Sequence, residues 1–221
     1  MKTFATLAGI LSIALLVPCA GSAQMGMRSG PPQMHGVWAP VIGKGAAYEI
    51  TTSEGKKIQN EVTVLGSEKV EGKDGYWLQM AMTSPEIGGE MVMKHLSILD
   101  GQETRTVKTI MQFPGRPPME MPAQMMGRHE HSSQSADVRS DGQDLGSESI
   151  TVPAGTFTCE HYRTKDGSDV WVSKDVAPWG MVKYQGKDSS MVLTKVISDA
   201  KDKIIGVPQP FNPMLMAQPH Q

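Results

Sequence analysis

The chain has 221 residues, of which 39% are hydrophobic and 5% aromatic, and a formal net charge of −2. Without a basic surplus there is little to neutralise a phosphate backbone, which argues against nucleic-acid binding. No stretch supplies the roughly 20 consecutive apolar residues of a membrane-spanning helix, so a helical membrane protein is excluded as well.

The first 23 residues read as a secretory signal peptide. Lys2 is a minimal positive region, Phe4 to Val17 is an apolar run, and Gly21-Ser22-Ala23 offers small residues for cleavage before Gln24. Residues 1–23 therefore predict a periplasmic or secreted protein, with 198 residues left to fold and a net charge of −3 once Lys2 is gone. Leu16-Val17-Pro18-Cys19 resembles a lipoprotein box, but Pro18 stands where that box needs a small residue, so cleavage after Ala23 is the preferred reading. With Cys19 removed, Cys159 is the single cysteine of the mature chain and no intramolecular disulfide can form. Its setting, Phe157-Thr158-Cys159, is that of a buried strand thiol.

Residues 24–36 are rich in Gly, Pro and polar side chains and read as a disordered arm. From Val37 the pattern changes to short runs rich in Val, Ile, Thr, Tyr and Trp. It predicts strands near 46–53, 57–66, 76–84, 90–99, 105–113, 147–152, 156–164, 168–174, 180–185 and 190–198. Turns are expected at Lys73-Asp74-Gly75, at Gly186-Lys187-Asp188, and at Val152-Pro153-Ala154-Gly155, where Pro and Gly fit a type I turn with a Gly bulge. Met191, Leu193 and Ile197 are expected on one face of the last strand, with Val192, Thr194 and Val196 on the other. A helical period is almost absent; residues 199–205 offer at most one short helix. The fold class is thus all-β, a single antiparallel sheet curled into a barrel or sandwich, with little helix. A Pro/Met/His-rich insertion at 114–145 interrupts the domain over 37–198, and a Pro-rich tail over 199–221, not expected to fold from Gly206 on, follows it.

Catalytic motifs are lacking. There is no G-x-S-x-G elbow, and His129-Glu130-His131-Ser132-Ser133 lacks the second histidine of a zinc-protease signature. Gly66 to Asp74 has neither the spacing nor the Lys-Ser/Thr of a phosphate loop. Ser132 and Ser133 beside His131 have no third partner to orient them. The expectation is a non-enzyme.

Methionine is the anomaly, with 17 in the chain. A four-residue loop Pro85-Glu86-Ile87-Gly88 would pair Met82 with Met91, Met80 with Met93 and Leu78 with His95, all on one face. Leu78, Met80, Met82, Met91 and Met93 are the candidate lining of an apolar binding face, in which adaptable thioethers accommodate a ligand of variable shape. Packing alone is the plainer explanation for strand methionines, and for Trp77, Trp171 and Trp179. A second group, Met119, Met121, Met125, Met126, His129 and His131, gathers soft and borderline metal ligands within 13 residues of the insertion. Thioether and imidazole suit copper, so this group is the candidate mobile copper site and the strand quartet with His95 a rigid one.

Over 146–198 the chain resembles exported bacterial proteins of unassigned function whose sheet is similar to the LolA/LolB lipoprotein-carrier superfamily. The likeness rests on Ser149-Ile150-Thr151-Val152-Pro153-Ala154-Gly155-Thr156-Phe157, Cys159, Tyr162, Asp169-Val170-Trp171-Val172, Pro178-Trp179-Gly180-Met181-Val182-Lys183 and Met191-Val192-Leu193. It implies a strongly curved antiparallel sheet, an unclosed barrel whose concave face takes an acyl chain. Such carriers cover the opening with helices, and no helix of that length is read here. Three functions are carried forward: an exported non-catalytic protein holding an apolar small molecule or lipid; a periplasmic copper-binding protein with no other cofactor; and an envelope interaction protein docking through residues 114–145 and the tails.

Overall fold

In the computed structural model, residues 36–100, 103–122 and 137–213 are described. Twelve strands form one sheet. In chain order they are β1 (Gly45–Thr52), β2 (Lys57–Val70), β3 (Lys73–Ser84), β4 (Gly89–Asp100), β5 (Glu103–Gln112), β6 (Met119–Met121), β7 (Gln143–Val152), β8 (Gly155–Arg163), β9 (Asp169–Val172), β10 (Met181–Gln185), β11 (Ser189–Ile197) and β12 (Gln209–Pro210). A single helical turn, α1 (Val138–Asp141), is capped by Asp137, whose carboxylate accepts from the Arg139 amide.

The spatial order is β12-β6-β5-β4-β3-β2-β1-β11-β10-β9-β8-β7, and the end strands do not pair, so the sheet is not a closed barrel. Two meanders, β1 to β6 and β7 to β11, are joined by antiparallel pairing of β1 with β11. All ten expected strands are present. The main core unites Val62 of β2 and Met80 of β3 with Val152 of β7 and Cys159 of β8. In a flat sheet at roughly 4.8 Å per strand, β2 and β8 would stand about 24 Å apart. The sheet must therefore curl for one cluster to hold both.

Four local expectations are corrected. The β2–β3 turn lies at Glu71-Gly72, where both residues have positive φ (52° and 80°), and Asp74-Gly75 is inside β3. A two-residue turn with both central residues left-handed matches the twist of the flanking strands, and Gly72 meets that demand without strain. Residues 199–205 are not helical. They run as an extended strap whose backbone is taken by glutamine side chains: Gln79 donates to the Lys201 carbonyl (2.9 Å) and accepts from the Lys203 amide (2.8 Å). Gln112 does the same for both groups of Ile205, at 3.1 and 2.8 Å. Beyond Gly206 the chain is still ordered at β12, which pairs parallel with β6. Finally, Lys195 pairs with Ala47 and Leu193 with Tyr48, leaving a bulge at Thr194, so Ile197 does not share a face with Met191 and Leu193.

The turn at Pro153-Ala154 closes β7 on β8 as expected, with Gly155 at φ 135°. Cys159 is fully buried, and burial, aided by the Glu148 charge, pushes its thiol up to about 11. Trp171 faces away from Val170 and Val172, as strand alternation requires. His161 stacks on it at 4.3 Å, the Lys183 ammonium sits 4.6 Å from its ring centre, and its Nε1 donates to Glu148. Trp77 and Trp179 are half-buried; Trp179 packs against Trp38.

Candidate functional site

The β3–β4 hairpin is closed by Pro85 to Gly88, with Ser84 opposite Gly89. That loop length fixes the register. Met82 pairs with Met91, Met80 with Met93 and Leu78 with His95, as the spacing requires. Paired residues and residues two apart share a face, so these six form one patch.

The patch is wider than the hairpin. β5 brings Met111 opposite Met93 and Thr109 opposite His95. β6 then brings Met119 opposite Met111 and Met121 opposite Thr109. On the other flank, β2 sets Val62 beside Met80 and Asn60 beside Met82. Met80, Met93, Met111 and Met119 thus form an unbroken row over four adjacent strands, spaced roughly 4.8 Å apart. Seven of the nine described methionines lie on the β3–β6 part of this face; Met181 and Met191 belong to the core nearer β10 and β11.

Exposure varies along the patch. Met82 and Met119 are buried, at 6% and 1% exposure, while Met80, Met91, Met93, Met111 and Met121 keep partial contact with solvent. His95 is also partly buried, and desolvation pushes its pKa down to about 4, so its imidazole is neutral at pH 7. Asn60 is buried, and among the described residues its Oδ1 has no hydrogen-bond partner. Apart from Asn60, His95 and the buried Thr109, the residues named on this face are apolar.

The reverse face is different in kind. Gln79, Lys94, Glu90 and Glu61 lie there, and the strap is fastened to them by Lys94–Asp202 and by Lys203 with both Glu61 (3.2 Å) and Glu90 (2.9 Å). The strap therefore leaves the methionine face alone.

This arrangement changes how the two methionine groups relate. The sequence places Met119 and Met121 in a flexible segment apart from the strand quartet; in the structure they are on β6 and extend the quartet's own face. The strand forms because Met119 and Glu120 pair with β5 on one side and with Gln209-Pro210 on the other. Met125, Met126, His129 and His131 lie outside the described residues. Met111, Thr109 and Asn60 were missed as site residues, and the β5 alternation around Met111 was the available signal. Among the described residues no group of three or more His, Cys, Asp or Glu is positioned to hold a metal ion, and no helix is long and apolar enough to cross a membrane.

No family model and no curated protein matches the chain. Two solved structures are similar. One is a Bacteroides fragilis protein described as exported and as having a YMCC-like fold; at 13% identity and a TM-score of 0.37 it covers 74% of this chain and 99% of its own. The other, from Parabacteroides distasonis, is described as a lipoprotein; at 14% identity and a TM-score of 0.35 it covers 74% of this chain and 100% of its own. Likeness at this level transfers neither a ligand nor a role.

Proposed function

We propose that the protein is an exported, non-catalytic binding protein that holds an apolar molecule, such as an acyl chain or lipid, on the β3–β6 face. The observation that carries this reading is the gathering of seven methionines on one part of one face, five of them still reached by solvent. Unbranched thioether side chains adapt to ligands of variable outline, which suits a surface for acyl chains rather than for one rigid molecule. The unclosed sheet is the form that resemblance to the LolA/LolB carriers implies.

The test is direct. Protein purified from the envelope is extracted and its lipid content read by mass spectrometry, and the delipidated protein is titrated with a fluorescent acyl probe. Lipid in the extract and saturable probe binding are expected, with binding weakened in M91Q and M93Q variants that keep the wild-type circular dichroism. A lipid-free extract together with no probe binding overturns the reading.

A further inference from the structure

An apolar ligand accounts for an adaptable greasy face, but the thioether sulfurs of that face offer a second chemistry that such a ligand does not use. Leucine and valine line the rest of this sheet's core, at Val62, Val64, Leu78 and Leu193. They have better-defined rotamers than methionine, which specifies a packed surface poorly. Met181 and Met191, each at most 1% exposed, show methionine used purely for packing. The row on β3, β4 and β5 is another matter, because its sulfurs belong to residues that solvent still reaches.

We propose that Met80, Met93 and Met111 form a binding site for one Cu(I) ion, with His95 as the adjoining imidazole donor. Met93 is the hub, directly opposite Met80 on one side and Met111 on the other. Cβ atoms of such pairs stand roughly 4.5–5.5 Å apart, and each methionine has three rotatable bonds with which to bring its sulfur inward. Three thioethers can therefore converge over Met93 without any movement of backbone. His95, two residues along β4, projects from the same face. This donor set is selective by chemistry. Thioether sulfur is neutral and soft and prefers Cu(I), whereas hard divalent ions want the carboxylates that this face lacks. Thioethers also suit an oxidising compartment, where a thiolate site would be lost to disulfides. The buried Met119 closes the row, and the partial exposure of the three central methionines leaves the ion a way in.

The site does not depend on the apolar-ligand reading, and Met→Leu substitution separates the two, since leucine keeps an apolar surface and removes the sulfur. Mature protein (residues 24–221) is titrated anaerobically with Cu(I) against a chromogenic Cu(I) chelator. Wild type is expected to retain one equivalent. M93L should lose at least about tenfold in apparent affinity, and the triple variant M80L/M93L/M111L should retain no copper while still binding the acyl probe to whatever extent wild type does. The M181L/M191L variant and the M125L/M126L/H129Q/H131Q variant should match wild type. If the triple variant fails to fold, M93L and H95Q, each checked by circular dichroism, decide the matter. The proposal is overturned if wild type takes no Cu(I), if M93L and H95Q retain it unchanged, or if the loss follows the residue 125–131 variant instead.

Discussion

His95 is a basic side chain on an apolar face, and its energetics follow from that placement. Desolvation penalises the imidazolium and holds the pKa near 4 in the folded protein, against 6.5 for the free side chain. Between pH 6.5 and 4 the unfolded chain therefore carries a proton that the folded chain does not. Stability is at its full value above about 6.5 and falls as pH drops toward 4, by up to about 3 kcal/mol. Urea denaturation of wild type and H95Q at several pH values should show this excess slope in wild type alone; parallel curves would mean that His95 is not desolvated. The position of His95 was legible in the sequence because the Pro85-to-Gly88 loop fixes the β3–β4 register locally. The partners of Met111 and Met119 were not, since nothing in a linear pattern says which strand β6 will join across the Pro-rich segment after Gln112. Met119 and Met121 thus stand apart from the strand quartet in the sequence, whereas the fold places them on the quartet's own face.

At the scale of the element, the β2–β3 turn shows a local signal misread. Asp74-Gly75 looks like turn chemistry, yet Gly75 lies inside β3, where a Cβ would crowd the side chains of Leu96 at 3.0 Å and Val70 at 3.1 Å. The true turn holds Glu71 at φ 52°, which costs a non-glycine residue roughly 1–2 kcal/mol and costs asparagine less. Its ion pair with Arg105 is exposed on both sides and offsets little. Glu71→Asn should accordingly raise stability by about 0.5–1 kcal/mol in chemical denaturation, and an unchanged or lowered midpoint would show that the ion pair matters more than the backbone. The strap over 199–205 failed to be legible for the opposite reason. Its conformation is set by Gln79 and Gln112, buried or half-buried amides more than 90 residues away in sequence, which stand in for the backbone of a neighbouring strand. Local propensity favoured a short helix; distant hydrogen bonding decided otherwise.

Across the whole molecule, the sheet is two meanders whose continuity depends on β1 and β11. Within each meander consecutive strands pair, most of them through short turns, which is why ten strands could be placed from turn residues and alternation. The closing pair joins the first strand to the eleventh and leaves no such mark. Its interior side is formed by Tyr48 against Leu193 and Ile50 against Met191, all at most 1% exposed, and the Tyr48 hydroxyl donates to the Met181 carbonyl at 3.1 Å. Because the main core draws residues from both meanders, neither can lose the seam and keep its apolar surface covered. Leu193→Ala should cost about 2–5 kcal/mol through the cavity it leaves, and the cost should be felt everywhere at once. Hydrogen exchange followed by mass spectrometry is the measure: amides of β3 and of β8, on opposite sides of the seam, should accelerate by a common factor as expected for one cooperative unit. Acceleration confined to β7–β11 would mean that the methionine-bearing meander stands by itself, and that its binding face survives the loss of the other half.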